Sequence, residues 1–465
     1  MKINNTSAKR IDEIFAAQKR FFQSEATLPV AFRKQQLKTL LGALEAHEKE
    51  ITDALWEDLH KSYEEAYLTE ISLVKAEIRS HLKHVDKWAR RERKGTPVTL
   101  FGSKSYVVKE PLGTALIVSP WNYPVQLLLN PLVGAISAGC TAVLKPSPYV
   151  PHVSLAIDRM IRSAFPEEYI AIVQGNRKVN QLLFAKRFDL IFFTGSPALA
   201  RVVAAAAAPN LTPLVLELGG KSPCIIGRDA NIKLAAKRIA WGKTLNAGQT
   251  CIAPDYLLLH PDVKEAFVAA FGEAVQKLHG EEIRKQKHYV RMVSDAAFER
   301  VSGYLQQGKV RYGGHVNTKE RFIEPTLLDD VQPDAEVLTT EIFGPVLPIV
   351  TLDDPQRSFE DQVVEYVTAR EKPLALYYFG AKEEGWSIVG RTSSGGCCIN
   401  DTIMHIVNPN IPFGGVGNSG MGHYHGLESF EAFTHRRAVV ATPTWFDLPF
   451  RYMPYKRFKL MKRMM

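Results

Sequence analysis

The middle of the chain alternates short apolar runs with helical stretches, and this alternation constrains the fold more than any other feature. Residues 114–119 and 141–144 are apolar runs of strand type, separated by a helical stretch at about 127–137. The pattern repeats with further runs at 169–173 and 190–194. A strand, a helix and a second strand make a βαβ unit. The sequence therefore predicts an α/β fold built on a parallel sheet.

Length and composition are typical of a soluble protein with several domains. The 465 residues are too many for one compact core, so two or three domains are expected. Hydrophobic residues make up 46% of the chain and charged residues 23%, which is ordinary for a globular protein. Residues 1–20 lack the apolar core of a signal peptide. The longest apolar stretch, 127–144, contains Pro131 and polar residues, so we interpret it as a buried helix and not as a membrane span.

The cysteines and the net charge limit the choice of partners. Five cysteines without metal-ligand spacing predict neither a metal site nor a disulfide framework, and hence a reducing, cytoplasmic location. Basic residues cluster at 87–94 and 451–463, and the net charge is +9. We interpret both clusters as solvated faces and predict no nucleic-acid partner, while the charge suits a polyanionic cofactor. The basic tail permits weak contact with anionic lipid, but without a hydrophobic anchor no stable membrane attachment is expected.

The N-terminal part of the chain is predicted to be a scaffold. Residues 11–93 are helical in character, with a leucine stripe that begins at Leu37 and continues to Leu59. Residues 96–111 carry β-forming residues on both sides of Gly102, which predicts a hairpin. An isolated hairpin needs another sheet for support, such as one in a partner subunit.

Loops that follow the predicted strands place candidate ligand groups at one edge of the sheet. Asn122 follows the first strand, and Gly195 and Ser196 separate a later strand from an alanine-rich helix at about 198–208. Free backbone N–H groups at such a helix start can hold a phosphate. Ligands of α/β folds bind at the carboxyl ends of the strands. The chain has no G-x-G-x-x-G sequence, so the ordinary dinucleotide fingerprint is absent.

Two side chains further along the chain offer base and nucleophile chemistry. Glu217 ends an apolar run beside Gly219 and Gly220, and Cys251 closes a short turn that begins at Gly248. A carboxylate base and a thiol nucleophile are the groups that a thioester mechanism needs. Each residue taken alone could equally be structural, because free cysteine is among the most buried residue types.

A series of short motifs in a fixed order decides between these readings. Together the motifs resemble the NAD(P)-dependent aldehyde dehydrogenase superfamily. They are Pro120-Trp121-Asn122, Lys145-Pro146-Ser147, Phe193-Thr194-Gly195-Ser196, Glu217-Leu218-Gly219-Gly220-Lys221, Gly248-Gln249-Thr250-Cys251, Glu341-Ile342-Phe343-Gly344-Pro345 and Pro412-Phe413-Gly414-Gly415-Val416-Gly417. Residues 400–402, 417–426 and 451–458 resemble the class 3 branch, which includes fatty and aromatic aldehyde dehydrogenases.

The resemblance implies a Rossmann-type cofactor domain, an α/β catalytic domain and a bridging β-hairpin that pairs across a homodimer. On that basis we predict the following segments. They are N-terminal helices packed on the cofactor domain at 1–94, the bridging hairpin at 95–112, the cofactor-binding domain at 113–216, the catalytic domain at 217–425, and a C-terminal bridging segment with the basic tail at 426–465.

The resemblance also implies the roles of the catalytic residues. Cys251 would attack the aldehyde carbonyl, and the oxyanion would lie between the Asn122 side-chain amide and the Cys251 backbone N–H. Hydride transfer to the nicotinamide would leave a thioester, and Glu217 would activate the water that hydrolyses it. The expected product is the carboxylic acid of a medium- or long-chain aliphatic or an aromatic aldehyde.

The resemblance further implies that NAD or NADP binds to six residues. Lys145 would bind the adenosine ribose, Gly195 and Ser196 the pyrophosphate, and Glu341 the nicotinamide ribose, with Phe343 packed near that ring. Trp121 is predicted to contact the cofactor as well. Phe343 could instead be an ordinary packing residue, because aromatic side chains are more often buried than functional.

The chain departs from the family pattern at two positions. Many relatives have a glutamate in place of Pro148 that binds the adenosine ribose, and without it we expect NADP to be accepted alongside NAD. Ala200 replaces a common glycine on the cofactor helix and is expected to alter packing only. We assign no role to His405, His423 and His425, because a lone histidine is usually structural.

Two other functions remain open at this stage. An esterase or CoA-acylating enzyme could use the same Cys251 thioester for acyl transfer. A non-enzymatic structural protein could retain the fold, although the presence of Asn122, Glu217 and Cys251 together argues against it.

Overall fold

The computed structural model describes residues 3–447, 452–455 and 458–464. The α-helices in chain order are α1 Ala8–Gln23, α2 Val30–Ala46, α3 Glu48–Leu59, α4 Tyr63–Ala66, α5 Ser72–Trp88, α6 Gln126–Ala138, α7 Pro151–Ala164, α8 Arg177–Phe184, α9 Pro197–Ala207, α10 Ile232–Thr244, α11 Lys264–His279, α12 Asp295–Gly303, α13 Glu336–Thr339, α14 Phe359–Thr368, α15 Lys382–Arg391, α16 Leu427–Ala432 and α17 Phe458–Met464.

The strands belong to several sheets, and their order along the chain interleaves with the helices. They are β1 Glu92–Lys94, β2 Lys104–Pro111, β3 Thr114–Val118, β4 Thr141–Lys145, β5 Ile170–Ile172, β6 Leu190–Gly195, β7 Leu214–Leu218, β8 Pro223–Ile226, β9 Tyr256–Leu259, β10 Lys309–Tyr312, β11 Val316–Asn317, β12 Phe322–Ile323, β13 Thr326–Asp329, β14 Val346–Thr351, β15 Ala375–Phe379, β16 Gly396–Ile399, β17 Gly420–Met421 and β18 Thr434–Ala441.

The first large sheet confirms the predicted parallel βαβ arrangement. Its strand order is β17-β7-β6-β3-β4-β5. The five longer strands are parallel, and the two-residue β17 runs antiparallel to β7. β3 and β4 are buried along their whole length, as expected for parallel strands covered by helices on both faces. Because β3 and β6 are neighbours inside this sheet, the loops that follow them emerge side by side at its carboxyl edge.

The second large sheet is also mostly parallel and contains the C-terminal half of the predicted strands. Its order is β10-β13-β14-β9-β8-β15-β16, with β10 antiparallel to β13. The predicted strands at 256–259 and 375–379 are β9 and β15. The chain enters this sheet directly after β7 through the Gly219-Gly220 turn, so the two large sheets are joined next to Glu217.

A third, antiparallel sheet contains β1, β2 and β18, and it corrects the prediction of a hairpin at 96–111. Only the second arm is a strand there. Its hairpin partner is β1, while residues 98–100 form a 3-10 turn. Pro97 fixes its own φ and lacks an N–H group, which ends regular pairing before the predicted first arm. The other neighbour of β2 is β18, which pairs with it along eight residues.

The N-terminal helices form the predicted scaffold. α2 and α5 pack on α6, and α3 packs on α7. The leucine stripe is completely buried at Leu37, Leu40 and Leu44, as the helical spacing predicts. Between α4 and α5 the chain forms a π-helical turn at Tyr67–Ile71, in which the side chain of Glu70 is buried.

The domain boundaries and the basic tail stay predictions. The pairing of β17 with β7 returns the chain to the first sheet near residue 420. Lys462 and Arg463 are exposed in α17, whereas Arg451, Lys456 and Arg457 lie outside the described residues. Across the described part of the chain, no helix has the length and apolar character needed to cross a membrane.

Candidate active site

A chamber of about 250 Å³ lies where the carboxyl edge of the first sheet meets loops of the second sheet. We call it the central chamber. The structure brings most of the predicted site residues to its walls, although they come from widely separated parts of the chain. The predicted residues that line the central chamber are Trp121, Asn122, Gly195, Ser196, Glu217, Cys251, Glu341 and Phe343.

Cys251 follows a loop whose backbone has an unusual shape. After α10, Asn246, Ala247 and Gly248 all have positive φ values, of 52°, 52° and 71°. A Cβ atom at Gly248 would overlap the carbonyl of Gly344, so the turn requires glycine. The thiol that this loop presents is half-buried. Burial raises its pKa to about 12, and the nearby carboxylates of Glu341 and Glu217 act in the same direction.

Glu217 is a buried carboxyl group of the first large sheet. It lies in β7, opposite Gly420 of β17, and only 3% of it is exposed. Neither carboxylate oxygen has a hydrogen-bond partner among the described residues. Burial therefore raises the pKa of Glu217 well above its usual value. In its ionised form such a carboxylate is a strong base and can accept a proton from a water molecule that enters the chamber.

The side chain of Asn122 is held with one N–H bond still available. Its Nδ2 atom donates to the carbonyl of Gln249 at 3.0 Å. An amide nitrogen carries two hydrogens, and the described residues accept only one of them. The remaining hydrogen belongs to a buried donor that lines the same chamber as Cys251. Such a donor can stabilise negative charge on an oxygen atom bound near the thiol.

A larger cavity of about 950 Å³ adjoins the central chamber along the edge of the first sheet, and we call it the sheet-edge cavity. Gly195 and Ser196 line both spaces. Ser196 caps α9, its Oγ accepting from the Leu199 N–H at 3.4 Å, as predicted for a helix start. Lys145 also lines the sheet-edge cavity, and burial lowers its pKa to about 8. The lysine donates to the carbonyl of Pro146 at 2.7 Å.

The loop that carries Glu341 and Phe343 is held by residues to which the sequence analysis assigned no role. Arg300 donates to the carbonyl of Glu341 at 3.2 Å and to that of Ile342 at 2.9 Å. Asp255 accepts from the Ile342 N–H at 3.0 Å. The carboxylate of Glu341 accepts from the Gly220 N–H at 3.3 Å, and burial raises its pKa to about 8.

Phe343 contacts Trp121 edge to face, with ring centroids 5.3 Å apart. Its backbone has a φ of 50°, which is uncommon for an aromatic residue. Lys221 also holds the loop that carries Glu341 and Phe343. It forms an ion pair with Asp255 and donates to the carbonyl of Thr340 at 3.0 Å. Lys221 belongs to a motif that the sequence displays, but nothing in the motif indicates this contact.

A third cavity, of about 530 Å³, lies on the other side of Cys251 and is mostly apolar. We call it the apolar cavity. Cys251 and Leu127 line both this space and the central chamber. Aliphatic and aromatic residues supply most of its wall, including Leu68, Leu73, Tyr123, Trp241, Leu245, Ile403, Ile406 and Phe413. The spacing of these residues in the sequence gave no indication that they share one wall.

The three histidines without a predicted role pack outside the central chamber. His405 and His425 both stack on the ring of Phe413, with ring centroids 5.8 Å and 5.3 Å from it. Burial lowers the pKa of His405 to about 4 and also lowers the pKa of His425. His423 is exposed.

Buried polar residues behind the site were missed by the sequence analysis. They tie the Asn122 loop to the Cys251 loop and to the N-terminal helices. Asn246, Gln249, Lys61 and Glu70 are each completely buried. Only their burial and hydrogen bonds in the folded chain distinguish them, because Lys61 and Glu70 lie in a segment that reads as an ordinary helical scaffold.

Comparison with known proteins shows the family of the chain. The family model "Aldehyde dehydrogenase family" matches residues 1–439. The chain is 42% identical to the 4,4′-diaponeurosporen-aldehyde dehydrogenase of Staphylococcus aureus over 456 residues, covering 97% of this chain and 98% of that protein. It is 40% identical to the aldehyde dehydrogenase of Canis lupus familiaris described as dimeric and NADP-preferring, over 96% of this chain and 98% of the relative.

A solved structure described as the substrate-bound state of Staphylococcus aureus AldH has the same fold. Its TM-score is 0.95 at 42% identity, and the match covers 97% of this chain and 99% of that structure. The class 3 resemblance and the α/β fold are thereby confirmed, and acyl transfer as the main activity is not favoured. The chain belongs to the aldehyde dehydrogenase family and is an NAD(P)-dependent enzyme that oxidises aldehydes.

Proposed function

We propose that Cys251, Asn122 and Glu217 are the catalytic residues of this aldehyde dehydrogenase. The observation that carries the proposal is their convergence on one chamber from three separate segments of the chain. Thioester chemistry needs a thiol, a donor for the oxyanion and a base, and these are the thiol, the amide with an available hydrogen and the carboxyl group that has no hydrogen-bond partner among the described residues. Among the described residues, Cys251 is the one cysteine that lines the central chamber.

The roles follow from the chemistry of each group. The Cys251 thiol gives up its proton to water, and the thiolate sulfur attacks the aldehyde carbon. The Asn122 Nδ2 and the Cys251 backbone N–H donate to the resulting oxyanion. Bound NAD(P) supplies the hydride acceptor. The acyl group then stays on Cys251 as a thioester, which is readily hydrolysed. Glu217 removes a proton from the attacking water, and the carboxylic acid leaves.

The residues of the sheet-edge cavity fit a dinucleotide. Its wall holds the α9 start at Ser196, where N–H groups and the helix dipole favour a phosphate. Ser119 and Thr194 lie in the same wall, and their buried hydroxyls have no partner among the described residues. We propose that Lys145 binds the adenosine ribose and Gly195 and Ser196 the pyrophosphate.

The other proposed cofactor contacts are made by residues that line the central chamber. Glu341 would bind the nicotinamide ribose, and Phe343 and Trp121 would pack beside the nicotinamide ring. The edge-to-face contact of the two aromatic rings and the anchored Glu341 loop support this arrangement.

We propose that NADP is accepted alongside NAD. Pro148 lines the sheet-edge cavity and provides no carboxylate that would repel a 2′-phosphate. Arg177 and Lys178 line the same cavity, where their charges would attract that phosphate. The canine relative is described as NADP-preferring. A kcat/KM ratio for NAD over NADP above about 10³ would count strongly against the proposal.

We propose that the substrate is a medium- or long-chain aliphatic or an aromatic aldehyde. The apolar cavity has a volume of about 530 Å³ and reaches Cys251, so it can enclose an apolar chain whose aldehyde end meets the thiol. One relative is named for the oxidation of 4,4′-diaponeurosporen-aldehyde. A panel of C2 to C16 and aromatic aldehydes, each measured with both cofactors, would rank the chain lengths.

We further propose a cytoplasmic homodimer. The β18 strand lies at an edge of the three-stranded sheet, and most of its residues are exposed, so its free edge can pair with a partner subunit. The canine relative is described as dimeric. Five free thiols suit a reducing compartment. Light scattering during gel filtration would establish the mass in solution.

Replacement of the nucleophile tests the proposed chemistry. Cys251→Ala should abolish NAD(P)H formation from every aldehyde of the panel, because no other thiol among the described residues lines the chamber. Cys397→Ala, at another half-buried thiol, is the matched control and should stay active. Aldehyde oxidation by purified Cys251→Ala at more than a few per cent of the wild-type rate would contradict the assignment.

A further inference from the structure

The positions of Asn122 and Cys251 depend on two loops that belong to different sheets. Asn122 follows β3 of the first sheet, and Cys251 precedes β9 of the second. An oxyanion donor is useful only when it lies at the correct distance from the reacting carbon. The two loops therefore need a link that fixes one relative to the other.

The side chain of Asn246 provides such a link. Its Nδ2 atom donates to the backbone carbonyl of Asn122 at 3.0 Å and to that of Gln249 at 3.1 Å. Both hydrogens of this amide nitrogen are thus used, one on each loop. The Gln249 carbonyl is also the acceptor for the Asn122 side chain. Asn246 consequently holds the backbone of Asn122 and also the Gln249 carbonyl, which orients the Asn122 side-chain amide.

A buried ion pair of the N-terminal segment also contacts the Asn122 loop. Lys61 and Glu70 are both completely inaccessible to solvent and lie 2.7 Å apart. Lys61 also donates to the Asn122 carbonyl at 3.2 Å. The second oxygen of Glu70 accepts from the Val125 N–H at 2.8 Å, three residues further along the loop.

Stability alone gives little reason for this ion pair. The cost of removing two charges from water usually cancels most of their attraction, and well-packed apolar residues are often at least as stable. The pair does, however, make three hydrogen bonds to one short loop, because Glu70 accepts from the Gln126 N–H at 3.4 Å in addition to the two contacts with Asn122 and Val125. The contacts of the Lys61–Glu70 pair therefore indicate that it fixes the position of the Asn122 loop.

We propose that Asn246 and the Lys61–Glu70 pair are positioning residues for the oxyanion site. They hold the Asn122 loop against the Cys251 loop so that the free Asn122 N–H points at the oxyanion. The inference rests on the catalytic role proposed above for Asn122. It adds the residues that act through Asn122 without touching the substrate.

Asn246→Ala is a suitable perturbation because it leaves neither carbonyl without a donor. The Asn122 carbonyl keeps Lys61, and the Gln249 carbonyl keeps the Asn122 amide. Alanine is also tolerated in this backbone conformation, since Ala247 next to it has the same φ of 52°. The variant should therefore fold while the two loops lose the link that Asn246 makes between their backbones.

The expected result is a fall in kcat of about 10- to 100-fold with little change in KM for NADP, because a displacement of about 1 Å can cost about 100-fold in rate. The control is Asn317→Ala, which removes the side-chain acceptor for the Glu320 N–H in a turn outside the linings given for the three cavities. That variant should keep kcat within about twofold. A purely structural role for Asn246 would lower the amount of active enzyme and leave kcat per active site unchanged.

A double-mutant cycle separates this inference from the proposed function. In an Asn122→Ala background, Asn246→Ala should slow the enzyme by no more than about twofold further, because both changes act through one amide. If Asn122→Ala alone leaves kcat unchanged, the catalytic role of Asn122 is wrong. If Asn122→Ala is slow but Asn246→Ala has no effect, or an independent additive effect, the positioning role is wrong.

The double variant Lys61→Met with Glu70→Gln tests the same idea from the other side. It removes both charges of the pair together, and the amide oxygen can still accept from Val125. A fall in kcat that disappears in the Asn122→Ala background supports the inference. An unchanged kcat contradicts the part assigned to the ion pair, and this variant decides the question should Asn246→Ala not fold.

Discussion

Glu217→Gln should remove most of the activity while it stabilises the protein. Activity falls because the amide cannot accept a proton from water, and loss of a general base typically costs about 10²- to 10⁴-fold. Stability rises because the wild-type carboxyl group is 3% exposed and has no partner among the described residues. A group of this kind is easier to bury in neutral form than in charged form.

The size of the stability change depends on pH in a defined direction. Burial raises the pKa of Glu217 in the folded state, so the folded protein binds more protons than the unfolded chain above about pH 4.3. Wild-type stability therefore decreases as pH rises through this range. Glutamine does not titrate, so the variant gains on the wild type by up to about 1.4 kcal/mol per pH unit while Glu217 stays protonated.

Two measurements check the prediction. Melting temperatures at pH 5, 6 and 7 should show a gap between variant and wild type that widens with pH, whereas Glu168→Gln, at an exposed residue, should show a constant gap. Rapid mixing with an aldehyde should give the variant a burst of about one NAD(P)H per active site and then slow turnover, because hydrolysis of the thioester is impaired. A variant that is less stable than wild type at pH 7, or a gap independent of pH, would refute the reasoning.

Three further predictions concern the cofactor and the Cys251 loop. Pro148→Glu should lower kcat/KM for NADP relative to NAD by at least about 10-fold, since a carboxylate would face the 2′-phosphate, and steady-state kinetics with both cofactors would show it. KM for NADP should rise as pH increases through about 8, where Lys145 loses its proton, while KM for the aldehyde does not follow the same profile. Gly248→Ala should lower the free energy of unfolding by about 1–2 kcal/mol or more and should also reduce activity. The reason is that the φ of Gly248 is 71° and that a Cβ atom there would lie 2.9 Å from the Lys243 carbonyl oxygen. Chemical denaturation would measure the loss of stability, and kcat would measure the loss of activity.

The parallel sheet and the N-terminal helices could be predicted because their signals are local. β3 and β4 are short apolar runs, and the helix between them has the length of a crossover connection. The hairpin at 96–111 was wrong in its first arm because Pro97 and the 3-10 turn that follows it outweigh the β-forming side chains. β propensity describes residues that fit a sheet, and it does not state which strand will be their neighbour.

The candidate active site also has features that the sequence predicts and features that only the folded structure shows. Short motifs in the sequence indicated Cys251, Glu217, Asn122 and the cofactor residues, since each stands in a recognisable local pattern. The same motifs gave no sign that Glu217 would lack partners or that Glu341 would need Arg300 and Asp255 to hold its loop. Those properties depend on what surrounds each residue after folding.

The sequence by itself determined the α/β class, the family and the candidates for the reactive groups, because periodicity and motifs lie along the chain. The tertiary structure alone decided that Asn246 joins two loops from different sheets and that Lys61 and Glu70 are buried against Asn122. It also decided that Cys251 lines an apolar cavity. Burial, hydrogen-bond partners and cavities are set by residues distant in sequence, so they exist only once the sheets have packed together.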